Sequence, residues 1–288
     1  MPRQNTSVSA EGATATAAPF LKWAGGKTQL LPHILKHIPE RFETYYEPFI
    51  GGGAVFFALA NEGRFKRAII GDRNPALVEV YEVVRDDVES LIAKLRTHAP
   101  HAKSPDYFYR LRAINPASLG TVARAARMIF LNKTCFNGLW RVNSRGGFNV
   151  PFGTFKNPRV LDEDLLRAAS KALRDVTIVT GDFETIVSRA GRGDAVYFDP
   201  PYFPLRPTSS FTAYSPFPFG ESEHTRLART YREVIGRGAA AVLSNSSCLF
   251  TEQLYRGLSC HKVQARRSIN SVSSGRGKIA ELLVTGPK

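Results

Sequence analysis

Apolar and polar positions along residues 20–95 switch between two periods. Short apolar runs at 44–49 and 68–71 read as buried strands, while apolar residues three and four apart at 54–61 and 76–95 read as helices. Strand, helix, strand, helix in that order predicts a parallel sheet covered by helices. The rhythm stops over 96–170, where His, Pro, Asn and Arg gather around one clear helical stretch at 122–131 and aromatics stand among polar residues. It resumes with strands at 176–180, 195–198 and 240–244, separated by helical patterns at 162–173 and 222–235. Two closing strands, 261–266 and 279–284, lie too close together for a helical crossover, so the sheet must end in an antiparallel pair. Seven strands therefore build one α/β domain, 20–76 and 171–288, with a smaller domain inserted at 77–170. Residues 1–19 are rich in Ala, Ser and Thr without the apolar stretch of a secretory signal, and read as a disordered tail.

Composition leaves that picture unchanged; charge does not. The chain has 288 residues, 43% of them apolar and 22% charged, as in ordinary soluble proteins. Lys and Arg number 39 against 25 Asp and Glu, a net +14 that favours a polyanionic partner, either nucleic acid or an acidic membrane surface. Cys135, Cys248 and Cys260 are odd in number and far apart, which supports neither a disulfide framework nor a metal cluster and favours a reducing, cytoplasmic compartment. No apolar stretch approaches the ~18 residues of a membrane span.

Glu47-Pro48-Phe49-Ile50-Gly51-Gly52-Gly53 follows a strand and precedes a helix. Glycines there let backbone approach a ligand where a β-carbon would collide. The dinucleotide fingerprint is incomplete, because Phe56 stands at its third glycine. Asp72, at the end of the next strand, lies about where an acid meets ribose hydroxyls in nucleotide-binding α/β folds. A tight turn with an unrelated aspartate is the alternative, and Asp72 tips the balance toward a ligand. Upstream, Gly26-Lys27-Thr28 invites a phosphate-loop reading, but Leu21 stands where that motif needs glycine, so an NTPase is disfavoured. Lys27 near Trp23 can instead hold a carboxylate and wall off an apolar or sulfonium group.

The most specific short signal is Asp199-Pro200-Pro201-Tyr202, directly after a buried strand. Proline stiffens the turn and removes a backbone donor. A carboxylate, the Pro200 carbonyl and an aromatic ring at a strand's C-terminal end suit a planar heterocycle with an amino group. A rigid turn with a surface acid is the bland alternative.

Lys22-Trp23-Ala24-Gly25-Gly26-Lys27, the Glu47-Pro48-Phe49 loop, Asn137-Gly138-Leu139, Phe148-Asn149-Val150-Pro151-Phe152-Gly153, Asp199-Pro200-Pro201-Tyr202 and Arg266-Arg267-Ser268-Ile269 occur in one order. In this the chain, from Phe20 to its C-terminus, resembles the Dam-type (D12 class) DNA adenine methylases. The resemblance implies a class I S-adenosylmethionine-dependent methyltransferase fold, a Rossmann-like, seven-stranded, mostly parallel sheet with an antiparallel last strand, plus a mostly helical target-recognition insertion. It implies methylation of the exocyclic amine of an adenine flipped out of double-stranded DNA, in a GATC-like site, with S-adenosylhomocysteine as product and no metal. Asp199, Pro200, Pro201 and Tyr202 would then be catalytic. Trp23, Lys27, Phe49, Gly51, Gly53, Asp72, Asp182 and Asp199 would bind the cofactor, and Lys22, Phe136, Asn137, Leu139, Arg141 and Pro151 would contact DNA. Phe136 and Thr154 depart from the Tyr and Arg that family members carry, and Trp140 replaces a small residue. The alternatives are methylation of cytosine's exocyclic amine, against which Asp199 argues, and a catalytically silent DNA-binding regulator.

Further basic residues, Arg124, Arg127, Lys133, Arg145 and Lys156, stand among aromatics in the insertion and are candidates for phosphate contacts. Arg266, Arg267, Arg276 and Lys278 add to them near the C-terminus. The helix bearing Arg226, Arg229 and Arg232 reads as a plain surface helix.

Overall fold

The computed structural model of the 288-residue chain describes residues 15–23, 25, 27, 29–143, 146–205, 219–266 and 278–286. Packing starts earlier than the predicted tail allows. Ala17 is buried, and its backbone exchanges two hydrogen bonds with the Asn61 side chain, at 3.2 and 2.8 Å. A short helix that periodicity does not reveal, α1 (Leu31–His37), leads into β1 (Phe42–Glu47). There follow α2 (Ala54–Asn61) and β2 (Phe65–Asp72).

The helix predicted over 76–95 is two helices, α3 (Pro75–Asp86) and α4 (Val88–His98). Asp87 leaves helical geometry at φ −146° and ψ 51°. Its N–H still donates to the Val83 carbonyl at 2.9 Å, and its own carbonyl accepts from Leu91 N–H at 3.1 Å. One residue thus closes one helix and opens the next. The apolar stripe continues across the break because Val80, Val83, Val84, Leu91, Ile92 and Leu95 all remain buried.

The insertion continues with α5 (Pro105–Ala113) and α6 (Thr121–Thr134), and α7 (Glu163–Leu173) returns the chain to β3 (Val176–Thr180). A single-turn α8 (Phe183–Ile186) precedes β4 (Ala195–Phe198). The remaining elements are α9 (Glu221–Gly236), β5 (Ala240–Ser246), α10 (Leu249–Leu254), β6 (Ser259–Arg266) and β7 (Lys278–Thr285).

All seven strands join one sheet in the order β3-β2-β1-β4-β5-β7-β6. Strands β3, β2, β1, β4 and β5 pair in parallel, and β7 runs antiparallel to both neighbours, β5 and β6. This is the α/β arrangement that the sequence predicts. Alternation along each strand divides its side chains between two cores. Tyr45, Tyr197, Val242 and Leu283 face a core shared with α2 and with the insertion's Leu91, Phe108 and Phe130. Tyr46, Val196, Phe198, Leu243 and Val284 face the opposite core, with Phe183, Leu227, Tyr231 and Tyr255. The helices between β2 and β3 therefore pack on the sheet through one continuous apolar body. Strand order reverses between β1 and β4, and at such a switch point α/β sheets gather ligands outside the C-terminal ends of their strands.

Candidate active site

Phe198, the last residue of β4, pairs with Leu243 of β5, which brings Asp199 and Ser244 side by side just beyond that pair. Ser244 Oγ donates to Asp199 Oδ1 at 2.9 Å and so accepts from the Tyr197 hydroxyl at 2.8 Å. Lys27 Nζ reaches the same Asp199 oxygen at 2.8 Å and the Gly25 carbonyl at 2.6 Å. Both donors converge on Oδ1; no described residue donates to Oδ2. Burial pushes the Asp199 carboxyl upward, and the Lys27 ammonium and the two donated hydrogen bonds pull it back. The Lys27 ammonium also lies 4.6 Å from the centroid of the Tyr202 ring, whose hydroxyl donates to Glu281 Oε2 at 2.6 Å. Pro200 is buried and Pro201 exposed. Beyond Tyr202 the chain is clamped to β5: Phe203 N–H donates to Asn245 Oδ1 at 3.0 Å, and Ser246 Oγ donates to the Phe203 carbonyl at 2.6 Å.

Across the switch point, Glu47 ends β1 almost fully buried, accepting from the Tyr45 hydroxyl at 2.8 Å, and burial raises its carboxyl well above the carboxylate range. The glycine loop follows. Gly51 and Gly53 adopt φ of +46° and +74°. A β-carbon on Gly51 would lie 2.8 Å from Trp23 Cδ1, and one on Gly53 would lie 2.8 Å from the Tyr81 hydroxyl. Both positions therefore need glycine on two counts, conformation and space. Tyr81 fixes the loop by donating to the Gly51 carbonyl at 3.0 Å. Asp72 closes it from β2, accepting from Gly51 N–H at 3.4 Å and Asn74 N–H at 3.0 Å. Burial lifts the Asp72 carboxyl to about 6 against those bonds.

Phe49 stacks on Phe183 at 5.5 Å and meets Phe219 edge-on at 5.8 Å. Asp182, at the same sheet edge, is already engaged. Its two oxygens accept from both terminal nitrogens of Arg226 at 2.8 Å each, and Oδ1 also caps α8 through Glu184 N–H at 3.0 Å. The guanidinium holds the carboxyl below its ordinary value and lies 4.3 Å over the Phe183 ring. Arg226 is thus a built part of this edge, and α9 is more than the plain surface helix its sequence suggests.

A second cluster adjoins the first through Lys22. Asn132, fully buried in α6, accepts from Lys22 N–H at 2.8 Å and donates to the carbonyls of Lys22 and Gly138 at 2.6 and 3.0 Å. The turn Phe136–Gly138 is sharp: Asn137 adopts φ 54°, and a β-carbon on Gly138 would sit 2.5 Å from Lys22 Cβ. Phe136 is 44% exposed, and its N–H donates to the Pro151 carbonyl at 2.9 Å. Arg141 Nε donates to Asn149 Oδ1 at 2.7 Å. Half-buried Leu139 completes the group, its carbonyl accepting from the Cys135 thiol at 3.1 Å. Lys22, Phe136, Asn137, Leu139, Arg141 and Pro151 therefore come together as one knot. The Lys22 ammonium lies 3.4 Å from the Phe155 ring centroid, and burial lowers its pKa.

Two of the basic candidates are structural instead. Arg124 forms a forked pair with Glu79, at 2.6 to 3.1 Å, joining α6 to α3. Arg127 is buried and donates to the carbonyls of Leu111 and Arg112 at 2.9 and 2.8 Å. Burial brings the Lys133 pKa down to about 8. Arg145, Arg267 and Arg276 lie outside the described residues. Among the described residues, no group of three or more His, Cys, Asp or Glu is arranged to hold a metal ion, and no helix is long and apolar enough to cross a membrane.

Residues 23–269 match the family of D12 class N6 adenine-specific DNA methyltransferases. The chain belongs to that family. A type II methyltransferase of Lactococcus lactis subsp. cremoris, M1.LlaDCHI, is 42% identical over 273 residues, 93% of this chain and 94% of its own. Another type II methyltransferase, M.MjaIII of Methanocaldococcus jannaschii, is 44% identical and covers 92% and 98%. The DNA adenine methylase of Haemophilus influenzae is 35% identical, over 92% of each chain.

The protein is thus an adenine DNA methyltransferase, which sets aside cytosine methylation and a silent regulator. Around Asp199 and Tyr202 this methyltransferase assembles three residues that sequence reasoning missed, Ser244, Asn245 and Glu281, beside Glu47 of the predicted loop. Ser244 and Asn245 could have been found from their place at the C-terminal end of a predicted strand. Glu281 carries no such signal, because the antiparallel pairing of β7 is what brings it to Tyr202.

Proposed function

We propose that this enzyme transfers a methyl group from S-adenosylmethionine to N6 of an adenine rotated out of duplex DNA, within a GATC-like site. The observation that carries this reading is the placement of Asp199 and the glycine loop at the ends of adjacent strands, β4 and β1. An amine-accepting acid and a nucleotide-binding loop there share one switch point. The loop suits the cofactor chemically, because glycine at 51 and 53 lets the backbone turn at φ +46° and +74° while packed against Trp23 and Tyr81. Asp72 offers a carboxylate to ribose hydroxyls, Phe49 an apolar wall, and Trp23 and Lys27 a flank for the methionine part. Asp182 is the remaining acid at this edge, held in place by Arg226. The cofactor, when bound, supplies a methyl group already activated by its sulfonium.

The chain's own residues do the rest. Rotating the adenine out costs a few kcal/mol in stacking and pairing. Lys22, Phe136, Asn137, Leu139, Arg141 and Pro151, with the insertion at 77–170 as target-recognition part, recover that cost by contacting bases and filling the stack. Asp199 and the Pro200 carbonyl accept the two amine hydrogens, which favours a more tetrahedral nitrogen with its lone pair aimed at the methyl. The stiff proline pair keeps these acceptors in place, and Tyr202 stacks on the base. With Ser244 and Lys27 both on Oδ1, the second Asp199 oxygen is the acceptor for the amine.

Expression in a methylation-free host, followed by sequencing for modified adenine, tests the reading. N6-methyladenine should appear at one short GATC-like site, and Asp199→Ala should abolish it while keeping much of the DNA affinity, which phosphates dominate. Turnover retained by Asp199→Ala would remove that acid from its role. Methylation outside such sites would remove the proposed target.

A further inference from the structure

Glu281 stands inside the sheet, opposite Ser246 of β5 and Val263 of β6. A carboxylate at that place loses water, and burial raises its carboxyl, opposed first by the Tyr202 hydroxyl and then by the Lys27 ammonium. Among the described residues its side-chain donor is that Tyr202 hydroxyl, at 2.6 Å. Such short, charge-assisted bonds are roughly twice as strong as neutral ones. The bond does two things to the ring: it fixes the ring's plane, and it feeds electron density from carboxylate to phenol. The ring face already receives a cation, the Lys27 ammonium at 4.6 Å. Electron-rich aromatic faces attract positive charge, most strongly where water is excluded.

Positive charge develops on the base during methyl transfer. The N6 nitrogen forms its bond to the methyl carbon with its own lone pair as the carbon–sulfur bond breaks, the sulfur keeping that pair. The adenine is then cationic until one N6 proton leaves for solvent. A base stacked on Tyr202 thus changes from neutral in the ground state to cationic as the bond forms. Only interactions that strengthen along that path raise the rate.

We propose that Glu281 is a positioning residue of the methyl-transfer reaction, acting through the Tyr202 hydroxyl to orient the ring and deepen the negative face against which the adenine becomes cationic. This rests on the adenine-N6 reading above. Glu281 touches neither base nor cofactor in this role, and its whole effect passes through one hydroxyl. Removing that hydroxyl must therefore make Glu281 silent.

The experiment is a double-mutant cycle on the full chain, with single-turnover methylation of a duplex, cofactor and DNA affinities, and thermal unfolding measured for each protein. Glu281→Gln keeps the shape and removes the charge. It should slow methyl transfer roughly tenfold, about the effect of one charge-assisted hydrogen bond, with both affinities within about twofold of the unaltered chain. Tyr202→Phe should show a similar loss, and Tyr202→Phe with Glu281→Gln should be no slower than Tyr202→Phe alone. Glu281→Asp, which keeps the charge on a shorter stem, should recover part of the rate. Equal slowing by Glu281→Gln in both backgrounds overturns the proposal, as does a loss seen only in binding or in thermal stability. Absence of methylation by the unaltered chain would sink this proposal and the function together, whereas the cycle sinks this one alone.

Discussion

At Asp72 burial at the end of a parallel strand lifts the carboxyl to about 6, against an ordinary 3.8, although the Asn74 and Gly51 N–H groups pull it down. Two consequences of opposite sign follow. Between those values the folded chain holds a proton that the unfolded chain has released, so this group makes stability fall as pH rises through the window. A ligand hydroxyl donates best to the ionised form, so cofactor affinity should be full above about pH 6 and fall as pH drops through it. Calorimetric titration of S-adenosylmethionine across that range checks this, and Asp72→Asn should flatten the dependence. The sequence shows that an acid lies here. It does not show the backbone N–H groups that meet it, because Gly51 reaches Asp72 only through the β1–β2 pairing.

Elements are joined in this molecule by single buried polar residues as well as by apolar faces. Asn132 of α6 ties the Lys22 segment to the Phe136–Gly138 turn through three hydrogen bonds at 2.6 to 3.0 Å. Asn132→Ala would leave those backbone groups unpaired, at about 1–3 kcal/mol each where water cannot replace the lost partner. A lowered urea midpoint with an unchanged slope should report it, and DNA methylation should fall because Lys22 and Phe136 lose their shared anchor. Periodicity places α6 but assigns no such task to one asparagine within it. The same limit explains the missed helices. In α5, Ser104 caps Tyr107 N–H at 3.2 Å and Pro105 opens the first turn, a start signal present in the sequence. Only Phe108 and Leu111 of that helix are buried, too few positions to display a period.

For the whole molecule, a net +14 predicts DNA binding that weakens steeply with salt. The structure decides which cations take part. Exposed Lys156 should contribute, so Lys156→Ala should lower the slope of log affinity against log salt by about one. Arg127, buried with its donors on two carbonyls, should leave that slope unchanged when replaced by Ala and instead lower the unfolding temperature. Fluorescence anisotropy at several salt concentrations, beside a thermal melt, separates the two.

Local information alone determined the seven strands, the antiparallel close of the sheet, the glycine loop and the acidic elbow. Period, turn chemistry and glycine conformation are properties of a few adjacent residues. Tertiary structure alone decided which charges face solvent and which hold helices together, since Arg124 and Lys156 look alike along the chain and differ only in their neighbours. It also decided that Ser244, from one strand, and Glu281, from an antiparallel strand near the C-terminus, would complete the Asp199–Tyr202 corner. Such partners lie far apart in sequence, and only strand order and register bring them within hydrogen-bond reach.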